Sequence, residues 1–433
     1  MKLIKKIYHF IIPMLADWFY GCPGKKMIVI GVTGTKGKST TCRFVASALM
    51  AGGYRVGVLS TVEFQIGDRR VLNDKKMSML GRGQIQKMMA DMVKAGCQYA
   101  VIETSSEGIL QYRHLGVHYD IAVFTNLGTE HNERHGGFDN LKRDKGKLFA
   151  SLRGSRKKLF GSIIKKIVIA NADDGQALFY LNYESDDKYS YSVSGSGIHG
   201  VKNFKAESVK PLSDGVEFIL GGQNYRLNIP GDFNVYNAMA AITVALSQNI
   251  PPEKIAVGLA SVKKLEGRME FVEAGQNFKV IVDYAHEPIS YTALFTTMRQ
   301  LAGVNGRTLA IIGSDGGGRD IGKRRQMGQI AGEICDIVIV SDVNCFDEDP
   351  HAIAEMLAGG ARTAGKRDGQ NLFIEIDRGQ AIELAVKMAR AGDVVAITAK
   401  GTEPHIAVAK GQKIPWSDYD MARKALINIG EKK

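Results

Sequence analysis

The sequence predicts an α/β protein built on mostly parallel sheets. Three observations carry this. Short apolar, β-rich runs recur along the chain, helical patterns fall between them, and the series restarts near Arg268. At 433 residues the chain is too long for one compact domain and divides into two or three. A hydrophobic fraction of 45% and a charged fraction of 24% are those of a globular chain, which excludes disorder.

The elements follow in order. Lys2, Lys5 and Lys6 precede an apolar stretch from Ile7 to Tyr20. It superficially resembles a signal peptide, but it contains His9, Pro13 and Asp17 and shows no small-residue cleavage site. It is also too short to span a bilayer, so no transmembrane segment is expected. The reading is an amphipathic helix packed on the first domain, with a membrane-surface role as the alternative. Met27 to Val32 reads as a buried strand, followed by a helix from Lys38 to Met50. Arg55 to Leu59, Tyr99 to Glu103, Ile121 to Thr125 and Ile167 to Ala170 are further strands, with helices such as Gln84 to Lys94 between them. Tyr189 to Leu227 is polar, with Ser and Gly clusters and the alternating run Val216 to Leu220, and is expected to be a small antiparallel subregion. A helix from Val235 to Gln248 follows, then a linker from Ser261 to Gly267.

The second series has strands at Lys279 to Asp283, Thr308 to Gly313, Ile337 to Ser341, Leu372 to Ile376 and Val394 to Ile397. Helices such as Arg325 to Ile334 and Arg378 to Ala391 alternate with them, which is a Rossmann-like order. The expected organisation is an N-terminal helical segment (1–26), a central nucleotide-binding domain (27–267) and a C-terminal domain (268–433).

The formal net charge of +12 points to anionic partners: nucleotides, phosphorylated substrates, nucleic acid or a membrane surface. No aromatic-rich basic groove or nucleic-acid module is present, so no nucleic-acid partner is expected. Cys22, Cys42, Cys97, Cys335 and Cys345 stand far apart and form no CxxC pair. An odd, dispersed set argues against a disulfide framework or structural zinc and for a reducing cytoplasm.

The sharpest local signal is Gly31-Val-Thr-Gly-Thr-Lys-Gly-Lys-Ser-Thr-Thr41, between a strand and a helix. Glycines let the backbone approach phosphate oxygens, and successive N–H groups with the helix N-terminus hold negative charge. This makes the first domain a P-loop ATPase domain: Lys38 would reach the β- and γ-phosphates and Ser39 would face Mg²⁺. The strict GxxxxGK[ST] spacing fails, because Val32 stands where the first Gly belongs; the other reading is an ordinary Gly-rich turn. Glu103 ends a neighbouring strand, either as a surface carboxylate or as a hard oxygen ligand for Mg²⁺. In Thr125 to Gly136, His131 and His135 are i, i+4 and flanked by Glu130 and Glu133, but the order is not His-Glu-x-x-His, which argues against a hydrolytic zinc centre.

With these residues in hand, the sequence resembles the Mur ligase family, in its UDP-N-acetylmuramoyl-tripeptide synthetase branch. The resemblance runs over nearly the whole chain from about Tyr20 and rests on several ordered motifs. Gly34-Thr-Lys-Gly-Lys-Ser-Thr40 resembles the family's TGTNGKTT loop, with Lys36 replacing Asn. Glu103-Thr-Ser-Ser-Glu-Gly108 is similar to EVSSHAL, whose Glu binds Mg²⁺, and Glu107 stands in place of the His. Asn126 to Gly136 resembles NLTRDHLDYHG and makes His131 a Mg²⁺ ligand. Asp144 to Phe149 resembles AKxxLF and places a carbamylated lysine at Lys145; a solvated lysine is the other reading, with Lys142 and Lys147 nearby. Gly231 to Ala238 implies adenine contacts near Asn234 and Asn237, although an Asn at a helix start also reads as a cap. Leu265-Glu-Gly-Arg-Met-Glu270 resembles PGRME, whose Arg, here Arg268, approaches the ATP phosphates, and Asp283-Tyr-Ala-His-Glu-Pro288 resembles DYAHTP, whose Asp holds the ribose. Gly316 to Arg324 resembles GGDRDxGKR, which helps close the active site.

The resemblance thus implies a ligase that uses ATP and Mg²⁺ to couple a carboxylate, such as a UDP-linked muramyl peptide, to an amino acid through an acyl-phosphate. It assigns Gly34, Thr35, Lys36, Gly37, Lys38, Ser39, Thr40, Asn234, Asn237 and Asp283 to the nucleotide. Ser39, Glu103, His131 and carbamylated Lys145 go to the metal, and Lys38, Lys145, Arg268 and His131 to catalysis. Arg319, Asp342, Asn344, Lys400 and Glu403 go to the amino acid. The expected form is a cytoplasmic monomer or weak oligomer with small-molecule partners.

Three departures stand beside it. The family's N-terminal UDP-binding domain is not seen, and residues 8–30 look like the segment that joins it to the ATPase domain. The selectivity motif DNPR appears as Ser341-Asp-Val-Asn-Cys-Phe-Asp-Glu-Asp-Pro350 with no Arg, which disfavours diaminopimelate; Asp342 or Asp347 suits a basic amine. GKGHE appears as Ala399-Lys-Gly-Thr-Glu403, without the His. Three alternatives stay open: a glutamyl ligase similar to folylpolyglutamate synthetase, a P-loop NTPase of another class, and an inactive scaffold.

Overall fold

A computed structural model describes residues 2–75, 77–81, 83–128, 135–154, 156–195, 197–303, 305–318 and 321–430, with side chains from residue 7 onward. Glu130, His131, Glu133 and Arg319 lie outside the described residues. The chain forms two compact units, Met1–Lys263 and Lys264–Lys433.

The first unit opens with α1 (Lys2–Phe19) and β1 (Ile28–Thr33), followed by α2 (Lys38–Ala51). Then come β2 (Val56–Leu59), β3 (Glu63–Ile66), β4 (Arg69–Leu72), α3 (Gln84–Lys94), β5 (Tyr99–Glu103), α4 (Ser106–Leu110), β6 (Ile121–Phe124) and α5 (Phe138–Ala150). A small hairpin, β7 (Lys158–Leu159) with β8 (Ser162–Ile163), precedes β9 (Ile167–Asn171), α6 (Ala177–Leu181), β10 (Asp187–Ser192) and β11 (Lys202–Lys205). These strands, the hairpin apart, form one sheet in the order β11-β10-β9-β6-β1-β5-β2-β3-β4, parallel except for the β2–β3–β4 edge. β1, β5 and β6 are buried along their whole length, as expected of central parallel strands covered on both faces.

The antiparallel subregion is smaller than the sequence suggested. β10 pairs parallel with β9 (Tyr189 opposite Ile169), and β11 pairs parallel with β10. Only β12 (Glu207–Leu212), β13 (Gly215–Leu220) and β14 (Gln223–Leu227) are antiparallel. The polar residues that disguised β10 and β11 satisfy one another at the sheet edge. Ser190 Oγ donates to Asn203 Oδ1 at 3.0 Å, and Asn203 Nδ2 donates to Ser192 Oγ at 3.2 Å. α7 (Phe233–Ser247) and α8 (Pro252–Ala260) complete the unit.

The second unit carries β15 (Glu270–Phe271), β16 (Lys279–Val282), α9 (Pro288–Ala302), β17 (Thr308–Ile312), α10 (Ile321–Ile334), β18 (Ile337–Val340) and α11 (Pro350–Thr363). β19 (Leu372–Ile374), α12 (Arg378–Met388), β20 (Val394–Ile397) and α13 (Asp418–Gly430) follow. Its sheet order is β15-β16-β20-β17-β18-β19, parallel except at β15. β19 stops two residues short of the expected end, because its ladder with β18 finishes at Val340 opposite Ile374. α10 starts four residues before the expected Arg325, so Lys323 and Arg324 are helical.

Candidate active site

In parallel α/β sheets ligands gather beyond the carboxyl ends of the strands. Here the ends of β1, β5, β6 and β2 meet. Register sets Val32 opposite both Glu103 and Val123, so the loop after β1 emerges between the ends of β5 and β6. Gly37 begins α2 with φ +80°, a left-handed conformation that suits glycine. A Cβ there would lie 2.1 Å from Asn237 Oδ1. The loop is clamped from β6: Lys36 N donates to Asn126 Oδ1 at 2.8 Å, Thr125 Oγ1 donates to the Lys36 carbonyl at 2.8 Å, and Thr35 N to the Asn126 carbonyl at 2.9 Å. Gly128 N donates to Thr35 Oγ1 at 2.9 Å.

The chemically active side chains converge on this loop. Lys38 Nζ donates to the Thr35 carbonyl at 2.9 Å. Ser39 Oγ donates to Glu103 Oε2 at 2.8 Å, and Glu103 is buried. The same carboxylate accepts from Thr61 N at 2.7 Å and Thr61 Oγ1 at 2.8 Å. Lys145, buried on α5, donates from Nζ to the Gly34 carbonyl at 2.8 Å. Next to it in sequence, Asp144 Oδ2 bonds His135 Nδ1 at 2.7 Å and its Oδ1 accepts from Lys147 at 2.6 Å. Thr40 is buried in the first turn of α2.

Asn234 and Asn237 are buried in α7. Asn234 Nδ2 donates to the Pro230 carbonyl at 2.8 Å, Asn237 Nδ2 to Asn234 Oδ1 at 3.1 Å, and Thr41 Oγ1 to Asn237 Oδ1 at 3.4 Å. Asp232, not Asn234, holds the cap position, so the helix-capping reading of Asn234 is corrected: the pair braces α7 against the start of α2.

In the second unit, the Arg268 guanidinium lies 4.5 Å over the Tyr284 ring and donates to the Gly267 carbonyl at 3.1 Å. Asp283 accepts from Met269 N and Ala285 N, both at 2.7 Å, which ties the turn carrying Arg268 to the end of β16. Tyr284 Oη reaches Glu403 at 3.5 Å, and burial beside that carboxylate pushes the phenol well above its ordinary range. Lys400 is fully buried and donates to Glu403 Oε2 (3.1 Å), Asn344 Oδ1 (3.2 Å), and the carbonyls of His405 (2.9 Å) and Val343 (3.3 Å). Asn344 Nδ2 donates to Asp315 Oδ1 at 2.8 Å and Glu403 Oε2 at 3.1 Å.

Asn344, Lys400 and Glu403 therefore form one network. Asp342 stands apart from it, bonded to Val343 N at 2.7 Å and to the Cys345 thiol. Burial raises the Asp342 carboxyl, and burial beside Asp342 pushes Cys345 up to about 11. Asp347 is exposed and accepts from Lys410 N. Sequence reasoning missed Thr61, Thr125, Asn126, Tyr284 and Asp315. Thr61, Thr125 and Asp315 each follow within three residues of a parallel strand's carboxyl end, and that position was the available signal.

Two family models match the chain: the Mur ligase middle domain over residues 32–245 and the Mur ligase glutamate ligase domain over residues 267–401. A UDP-N-acetylmuramyl-tripeptide synthetase from Roseiflexus sp. is 40% identical over 424 residues, 96% of this chain and 82% of that protein. The chain belongs to the Mur ligase family. A UDP-N-acetylmuramoyl-L-alanyl-D-glutamate–2,6-diaminopimelate ligase from Geobacillus kaustophilus is 35% identical over 96% of the chain and 82% of its own length. A solved 2,6-diaminopimelate ligase is 26% identical with a TM-score of 0.61, covering 94% of this chain and 79% of that one. Folylpolyglutamate synthase from Mycobacterium tuberculosis shares the fold, with a TM-score of 0.67 at 15% identity over 90% of this chain and 92% of that one. As a Mur ligase, the chain is an ATP-dependent enzyme that forms amide bonds. Each matched model lies within one of the two units, and the loop described above lies at the start of the first model's span.

Proposed function

We propose that this Mur ligase couples the terminal carboxylate of a muramyl-peptide precursor to the amine of an amino acid through an acyl-phosphate, in the cytoplasm, with Mg²⁺. The single observation that carries the reading is the Ser39–Glu103 hydrogen bond at the mouth of the phosphate loop. It joins the hydroxyl and the carboxylate that suit a hard cation to the helix N-terminus that suits phosphate. Those oxygen donors fit magnesium, which when bound neutralises charge on the β- and γ-phosphates. Lys145 as an ammonium donates and does not coordinate; carbamylation would make it an oxygen donor beside Gly34.

In the first step a carboxylate oxygen attacks the γ-phosphorus and ADP leaves, with Lys38 stabilising the charge on the transferring group. Arg268, held over Tyr284, supplies a second cation for the phosphates. The proposal assigns the adenine to Asn234 and Asn237 and the ribose to Asp283. In the second step the amine attacks the acyl carbon, loses a proton, and phosphate leaves. Asn344, Lys400 and Glu403, with Asp342 and Arg319, hold the amino acid. The lack of an Arg in Ser341–Pro350 favours a side chain that ends in an amine over one that ends in a carboxylate.

The test is phosphate release from magnesium ATP, crossing UDP-muramoyl-dipeptide and simpler γ-glutamyl acceptors with a panel of amino acids, with products weighed by mass spectrometry. An amide product on the muramyl acceptor is expected, and Lys38→Ala should lower turnover about a hundredfold or more while the far-ultraviolet circular dichroism stays the same. Product only on γ-glutamyl acceptors, or an unchanged rate in the variant, would contradict the proposal.

A further inference from the structure

A surface helix normally turns its apolar stripe inward and its polar residues to water. α1 departs from this: its inward side carries Ile12, Pro13 and Ala16 with Asp17, and its outward side is apolar as well. Pro13 and Asp17 are buried against the unit, and Asp17 pairs with His118 at 2.7 Å. The outward positions are apolar throughout: Ile7, Tyr8, Ile11, Met14, Leu15, Trp18 and Phe19, at the i, i+4, i+7 spacing of one helical stripe. Trp18 is 77% exposed and Phe19 73%. A contiguous apolar face of this kind on a folded unit marks an interaction surface.

A second apolar feature stands beside it. The β7–β8 hairpin exposes Phe160 (61%) in its turn and Ile163 (63%) at the end of β8. Both features are rooted on the loop at residues 112–118. Phe10 packs edge-on against Tyr112 with ring centres 5.6 Å apart, and Gly116 lies against Pro13 and Asp17. At the hairpin's base, Lys157 Nζ donates to the His118 carbonyl at 2.6 Å.

Charge selects the occupant. Lys2, Lys5 and Lys6 precede the apolar stripe in sequence, exposed Lys25 and Lys26 follow it, and Lys158 adjoins the hairpin tip. Arg153, Arg156 and Lys165 are already paired with Glu184, Asp186 and Asp187 and add little. A net charge of +12 opposes face-to-face packing of a second copy and favours an anionic surface. No helix among the described residues is long and apolar enough to cross a membrane. An exposed apolar helical stripe with basic residues at its end is the pattern of a helix that lies in the interface plane.

We propose that α1 and the β7–β8 hairpin form a peripheral docking surface for an anionic lipid bilayer, with α1 lying in the headgroup region and Lys25, Lys26 and Lys158 against acidic headgroups. The proposal does not rest on the ligase reading. It is tested on the full chain by flotation with vesicles of phosphatidylcholine alone and of phosphatidylcholine mixed with phosphatidylglycerol. The chain contains two tryptophans, Trp18 and Trp416, so Trp416→Phe leaves Trp18 as the reporter. Binding to the anionic vesicles alone is expected, weakened by salt and accompanied by a blue shift of Trp18 emission. Leu15→Asp with Trp18→Asp should lower the vesicle affinity about tenfold or more, since both side chains face outward and the fold does not depend on them. Three results would overturn the proposal: no binding to either vesicle or equal binding to both; binding unchanged in the double variant; or a dimer lost in the double variant with no vesicle binding.

Discussion

Two buried residues of the first unit show how environment decides what a side chain does. Glu103 keeps its carboxylate in the interior because three donors surround it: Ser39 Oγ, Thr61 Oγ1 and Thr61 N. His114 is the opposite case. It is buried, its Nδ1 has no partner among the described residues, and burial with the nearby Lys147 pushes its pKa down to about 4. The folded form thus disfavours the imidazolium, while the unfolded chain takes the proton near the ordinary value of 6.5. Stability is therefore complete above pH 6.5 and falls as the pH drops from 6.5 towards 4, by about 3 kcal/mol over the window. Urea unfolding followed between those pH values should show this slope, and His114→Leu should flatten it. An unchanged slope in the variant would assign the acid sensitivity elsewhere. At this scale the residue types were legible but their partners were not. Nothing in the run Tyr-Ala-Val-Ile-Glu103 reveals that Thr61 will close on its carboxylate, because the two meet only through sheet register.

Among elements, the junction of β1, α2 and α7 depends most on a single backbone conformation. Gly37 must hold φ +80°, and Asn237 occupies the space a Cβ would need. Gly37→Ala combines left-handed strain of about 1–2 kcal/mol with displacement of the Asn237 amide, which bonds Asn234 and Thr41. Gly53, just beyond α2, has φ +95° with open space around it, so Gly53→Ala carries the backbone strain alone. Denaturation should place Gly37→Ala below Gly53→Ala in stability, and calorimetry should find magnesium ATP binding weakened about tenfold or more only in Gly37→Ala. Equal effects of the two would deny the loop its special role. The long apolar runs made β1, β5 and β6 readable, since fully buried parallel strands admit little else. β10 and β11 were not, because polar residues at a sheet edge satisfy one another and imitate an antiparallel pattern. α1 was readable as a helix, yet its direction of burial was not, since the docking of Pro13 and Asp17 is a tertiary event.

For the whole molecule, family membership and the phosphate loop agree on ATP-dependent amide formation, and each unit holds a prepared polar cluster. The first unit gathers Lys38, Ser39, Glu103 and Lys145 around one backbone turn. The second gathers Asn344, Lys400 and Glu403 into one network and stacks Arg268 on Tyr284. The proposed function turns on the activation of a carboxylate by phosphoryl transfer. The most direct test labels that carboxylate with oxygen-18 in the acceptor that supports turnover, and weighs the phosphate released with each amide formed. One labelled oxygen in every phosphate is the expected result, because the bond broken in the second step joins the acyl carbon to an oxygen that began in the acid. Phosphate free of the label, with amide still made, would contradict the account.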